Sequence, residues 1–447
     1  MKRATVTLFG AAIAIALAGD AAFAQERSQR PYRGLFGGGG AGADAERSLT
    51  ATGSVGAGFD TDVLTDARDA GFGQGGGPAQ SSEGGYVSFS EGLSYSLNKR
   101  VITFAASGSA SARFYPTVEN SFITNYGAGL GTSWSPTARN RVWGNASFSY
   151  QPFSLHALFP VFGQTPLGEI YLADLDFGTV DAGYYTSAAS VGASRKLSSR
   201  DTISGDYSYQ RSDFALYPDY ESDTVGARFT HSITAGLGIR VGYDYTRVRY
   251  SGSVPGQVPI AGRHNIDTGV DYNKTLSFSR RTSLSFSTGG TATHYQNDTY
   301  ITAIGSANLT HEIGRTWTFR AGYNRDVDFV ETFAAAPFVY DSATVTLDGL
   351  LDRRWSFHAA GGASLGNLGF GSSSNGFDTY YATTGVNRAL NRHFSLGIDY
   401  SFYRYNFAQT SLLPNGYNSD FSRSNVRATL SAWLPLFQRG RRTNAAR

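Results

Sequence analysis

Residues Leu237–Tyr250 read Leu-Gly-Ile-Arg-Val-Gly-Tyr-Asp-Tyr-Thr-Arg-Val-Arg-Tyr. Leu237, Ile239, Val241, Tyr243 and Tyr245 are apolar or aromatic, while Arg240, Asp244 and Thr246 between them are charged or polar. Successive side chains of a strand point to opposite faces, so this segment has one apolar wall and one wet wall. A half-buried strand needs only about 5–6 residues; this one is more than twice as long. The pattern recurs along most of the chain with few helical stretches between. An all-β fold of this kind is expected to be a transmembrane antiparallel β-barrel.

A chain of 447 residues ordinarily divides into about two or three domains. Repetition of one motif from Ser48 to Leu434 argues for a single closed sheet instead. Composition agrees: 54 Gly, 27 Tyr and 30 Phe suit a barrel that uses Gly where walls crowd and aromatics at the two membrane–water girdles. Cysteine is absent, which removes disulfides and thiolate metal sites. A formal charge of +3 with Arg and Asp interspersed gives no footing for a nucleic-acid partner.

Met1-Lys2-Arg3 is a basic start, Ala4–Ala18 is apolar, and Ala22-Phe23-Ala24 has the A-x-A form of a cleavage site. The expected division is a cleaved signal peptide over 1–24, a flexible periplasmic arm over 25–47, a barrel over 48–437 and a basic tail over 438–447. Asp20 interrupts the apolar run, which argues against an uncleaved anchor helix. No later stretch is long and apolar enough for a spanning helix. A closed barrel can still cross lipid, because every backbone group is paired between strands. The expected location is the bacterial outer membrane.

Alternation and turn residues mark roughly 18 strand-like segments, and the expected strand number is about 16–18. Short turns are expected at Asn98-Lys99-Arg100, Pro136–Asn140, Ser198-Ser199-Arg200 and Thr234-Ala235-Gly236, and again at Arg280-Arg281, Gly314-Arg315, Asp352-Arg353 and Asn391-Arg392. Longer connections alternate with them: Thr61–Gly84, Phe153–Thr179, Ser251–Gly262 and Gln409–Ser419 among others. Short periplasmic turns alternating with long outer loops are how outer-membrane barrels arrange their rims. The spacing could also suit propeller blades, but no blade motif recurs. Near the end, Val426, Ala428, Leu430, Ala432 and Leu434 alternate, Pro435 interrupts, and Phe437 follows. A last strand ending in an aromatic resembles the sorting signal of the barrel assembly machinery, an expected partner.

Charge at the lipid midplane costs about 2–4 kcal/mol for Arg or Lys, so charged residues belong inside. That rule assigns Arg141, Asp206, Arg228, Arg240, Asp244, Arg320, Asp348, Asp399 and Arg427 to the pore lining. A soluble β-sandwich or β-helix would reverse this and bury the Tyr and Phe in a dry core.

Ser54-Val55-Gly56-Ala57-Gly58-Phe59-Asp60-Thr61-Asp62-Val63 carries a Gly-aromatic-Asp-x-Asp-aliphatic pattern. It resembles the opening of the β-barrel porin 2 family, and Lys196–Ser204 is similar to that family's hairpins. The resemblance covers roughly Ser48–Leu434 through short motifs. It implies an outer-membrane barrel of porin character, in a family with some members that accompany exopolysaccharide production.

Chemistry is sparse. His156, His231, His264, His294, His311, His358 and His393 are scattered, without an H-E-x-x-H or comparable spacing. No G-x-S-x-G elbow is present, so no catalytic residues are assigned and no enzymatic activity is expected. Asp60-x-Asp62 with Asp66 and Asp69 could offer oxygens to Ca²⁺, but lacks the Gly and terminal Glu of a calcium loop, and no metal site is assigned. Phe153–Thr179 is long and apolar for an exposed loop and carries Glu169, Asp174 and Asp176. Folded inward, it would set those carboxylates against wall arginines as a constriction; folded outward, it would cap the rim.

About 16–18 strands enclose room for a water-filled lumen. The expected function is passive diffusion of small hydrophilic solutes, which needs no cofactor. The alternatives are an exopolysaccharide export barrel and a plugged surface structural protein. The membrane partners expected are outer-membrane lipid and lipopolysaccharide.

Overall fold

The computed structural model describes residues 45–61, 83–116, 121–152, 183–214, 219–234, 236–251, 260–276, 279–295, 298–329, 337–370, 375–408 and 420–440. They form eighteen strands. The first six are β1 (Ala45–Asp60), β2 (Gly84–Asn98), β3 (Ile102–Tyr115), β4 (Ser121–Trp134), β5 (Asn140–Pro152) and β6 (Gly183–Lys196). Next come β7 (Asp201–Phe214), β8 (Asp219–Thr234), β9 (Leu237–Ser251), β10 (Ile260–Leu276), β11 (Ser279–Tyr295) and β12 (Asp298–Ile313). The last are β13 (Trp317–Phe329), β14 (Pro337–Leu350), β15 (Trp355–Leu368), β16 (Asn375–Ala389), β17 (Phe394–Phe407) and β18 (Asp420–Gly440). Each pairs antiparallel with its chain neighbours, and β1 pairs with β18 to close the sheet. Closure leaves no unpaired edge for lipid to face. The fold is an all-β, closed antiparallel barrel.

Exposure follows sequence parity. On β9, Ile239, Val241 and Tyr243 are exposed on the outside while Gly238, Arg240 and Gly242 are buried. Val225 and Phe229 on β8, Leu396 and Ile398 on β17, and Val426 and Leu430 on β18 continue the outer apolar surface. Strand β9 has 15 residues, which at about 3.4 Å each and a tilt near 40° stand roughly 40 Å tall. The lipid band needs only about 25 Å. The excess lies at the long-loop rim, where the outer face turns polar. There Arg247 donates to Asp223 (3.2 Å), Arg249 pairs with Glu221 (2.9 Å), Arg325 with Asp341 (2.8 Å) and Arg404 with Asp420 (2.8 Å).

The opposite rim carries the short turns, which makes it periplasmic. All five tryptophans lie near it. Trp134, Trp317 and Trp355 are on the outer face, and Trp143 and the buried Trp433 are on the inner one. Glycines opposite bulky rings let the wall pack closely. A Cβ on Gly192 would stand 2.3 Å from Trp143, one on Gly349 2.1 Å from Trp317, and one on Gly362 2.4 Å from Tyr381. Gly314, in the β12–β13 turn, has φ +66°, a conformation that side-chain-bearing residues enter at a cost.

Three expectations change. Arg280 and Arg281 lie inside β11, which begins at Ser279, and residues 277–278 before it lie outside the described residues. The barrel starts at Ala45 rather than Ser48. Pro435 does not end the last strand, because β18 continues through Phe437 to Gly440. Pairing with β1 steps from Thr50↔Pro435 to Leu49↔Phe437, leaving Leu436 as a bulge. Pro435 also lies past Ala432, where the β17 register ends. Proline is tolerated at a bulge or a one-sided strand.

Candidate functional site: the inner wall

The nine charged residues assigned from sequence sit on strands spread around the barrel, at positions that alternate with the outer apolar ones. Five fall on β5–β9 and four on β13–β18. In a ring of eighteen strands these two arcs face one another.

On the first arc, Asp206 and Asp244 occupy one row through Gly226 on the strand between them. A Cβ on Gly226 would lie 3.3 Å from Asp244 Cβ and 3.7 Å from Asp206 Oδ1. Asn265 donates to Asp244 Oδ1 (2.9 Å), and Arg240 donates to the Thr288 carbonyl (3.1 Å). Arg141 and Arg228 share a neighbouring row through Ser194 and Ser204.

On the second arc, Arg320 Nη1 donates to Asp348 Oδ2 (2.9 Å). Asp348 is the cross-strand partner of His358. His358 Nε2 lies 3.3 Å from Asp399 Oδ1, although all of β16 stands between their strands. The intervening residue is Gly385, whose added Cβ would sit 2.2 Å from both Asp399 Oδ1 and His358 Cε1. Arg427, the partner of Asp399 on β18, comes within 4.0 Å of it. Only glycine at 385 lets this contact span a strand. His358 was visible in the sequence as one of seven scattered histidines, but its link to Asp399 depends on the register of three strands.

Toward the long-loop rim the inner face is different. Arg423 and Asp60 are 1% and 0% exposed and form a two-pronged pair, Nε to Oδ1 at 2.8 Å and Nη2 to Oδ2 at 2.7 Å. Tyr115 donates to the same carboxylate (3.3 Å) and accepts from Arg113 (3.2 Å). Asn425 donates to it as well (3.4 Å) and accepts from Tyr86 (2.7 Å). This network ties β18, β1, β2 and β3 across the closing seam. Asp60, considered above as a calcium ligand with Asp62, is engaged by Arg423 instead. Among the described residues no three His, Asp or Glu side chains come close enough to share a metal ion. Glu169, Asp174 and Asp176 lie outside the described residues.

Aromatic rings crowd the inner face at this level. Phe338 stacks on Phe377 (4.3 Å), which neighbours Phe407 (6.1 Å), and Tyr300 on β12 stacks on Phe370 beyond β15 (4.1 Å). Arg263 on β10 donates to the Val327 carbonyl on β13. Outward placement of the aromatics does not hold for these. Adjacent pairs such as Tyr184-Tyr185, Tyr380-Tyr381 and Phe402-Tyr403 carry the signal, because neighbours on a strand cannot both face lipid.

A closed eighteen-stranded sheet with an outer apolar band and a charged inner wall defines an outer-membrane β-barrel of the bacterial envelope. No sequence family matches the chain and no curated protein does, so the resemblance to β-barrel porin 2 rests on its short motifs alone. The chain is similar to solved barrels at low identity. One is OccAB4 of Acinetobacter baumannii, with 11% identity, TM-score 0.43, and coverage of 88% of this chain and 99% of that one. Another is the siderophore receptor PirA of the same organism, with 10% identity, TM-score 0.42, and coverage of 86% and 80%. PirA of Pseudomonas aeruginosa gives 11% identity, TM-score 0.39, and the same coverage.

Proposed function

We propose that this barrel is a diffusion channel for small hydrophilic solutes, with its pore lined by Arg141, Asp206, Arg228, Arg240, Asp244, Arg320, Asp348, Asp399 and Arg427. One observation carries the reading: charges of both signs line two facing arcs, in a ring of strands wide enough to hold water. Formal charges sum to +1 on the first arc (three Arg, two Asp) and to zero on the second (two Arg, two Asp). Such walls orient dipolar solutes and weight ions by sign. Passage needs no nucleophile or cofactor.

The crowded aromatic face near the outer rim favours a second reading, a barrel that opens only for a longer cargo such as a polysaccharide. The test is to refold the chain from Gln25 and record single-channel conductance in a planar bilayer. A steady open conductance supports the diffusion channel. A silent, correctly folded barrel overturns it and favours the gated or plugged alternatives.

A further inference from the structure

We propose that His358 is a proton-binding residue of the inner wall that sets ion selectivity, an inference that rests on the channel reading above. Charged groups face it from strands on both sides. Asp348 is its partner on β14 and is held by Arg320 of β13. Position 385 on β16 is glycine, which admits the imidazole toward Asp399 of β17, and Arg427 of β18 stands behind Asp399. With a neutral imidazole, the two guanidinium groups and two carboxylates of this arc cancel. A proton on His358 adds one positive charge to this set.

The imidazole itself is 4% exposed, but Asp399, on which it leans, is 25% exposed to the lumen. A charge gained here is therefore felt by passing ions. Histidine is the side chain that ordinarily changes charge between about pH 5 and 8. A unit charge about 8 Å from an ion in water alters its local population about twofold. The arc thus becomes more favourable to anions as pH falls.

The experiment is the reversal potential of the refolded chain from Gln25 in a tenfold KCl gradient, at pH 8 and at pH 5.5. The anion-to-cation permeability ratio is expected to rise about fourfold at the lower pH, because anions gain about twofold and cations lose about twofold. In His358→Asn the ratio should be the same at both values. In His358→Lys the high ratio should persist at pH 8. If the Asn variant does not assemble, His358→Gln takes its place. A wild-type ratio that ignores pH overturns the proposal while leaving the channel intact, as does a pH step that survives in the Asn or Gln variant. A folded barrel with no conductance overturns the channel reading and this proposal with it.

Discussion

Truncating either member of the Asp60–Arg423 pair leaves a charge in a site where both side chains are fully buried. Breaking such a pair costs about 3–5 kcal/mol. Arg423→Ala should therefore lower the temperature at which the barrel loses its compact electrophoretic form, and an unchanged transition would remove the network from any part in closing the seam. The glycine contacts make a second prediction. Gly192→Ala forces a methyl against Trp143 and should cost about 1–3 kcal/mol, as overpacking does. The same substitution in a Trp143→Leu background should be nearly neutral, which a double-mutant cycle on unfolding free energy reads directly. None of these partnerships was legible in the sequence. Asp60 and Arg423 are 363 positions apart, and nothing in local alternation says which distant strand closes the ring.

At the level of the strand, much more was legible. Periodicity placed the strands and the turn residues placed most of the short connections, because both signals are local. The failures have physical causes. Arg280 and Arg281 look like turn residues, yet a strand tolerates them where its rim meets water. Pro435 looks like a terminator, yet a bulge opposite β1 carries the strand past it. The stretch Leu237–Tyr250 held a further signal. After Tyr245 the parity inverts, with Arg247 and Arg249 outside and Val248 and Tyr250 inside, which marks where β9 leaves the lipid. Val241→Arg, set in the middle of the apolar band, should therefore cost about 2–4 kcal/mol. Asp244→Asn, three residues on and facing inward, should leave the folded fraction near wild type; equal losses in the two would contradict the assigned faces. Deleting Glu169–Asp176 should raise conductance or shift selectivity if that loop folds into the pore, and unchanged values in both would place it at the rim.

Across the whole molecule the inner face changes along the barrel axis: mixed charges line the lumen toward the periplasmic half, and toward the outer mouth aromatics crowd around the buried Asp60–Arg423 pair. The tryptophans obey a stricter asymmetry still, since all five sit at the periplasmic rim and none at the other. The intrinsic emission of this protein is thus a one-ended optical label. In reconstituted vesicles, a quenching lipid confined to one leaflet should dim the lipid-facing Trp134, Trp317 and Trp355 of barrels inserted with that rim in it, and little of the signal from those inserted the other way. The quenched fraction then counts insertion orientation directly, with no added dye or tag.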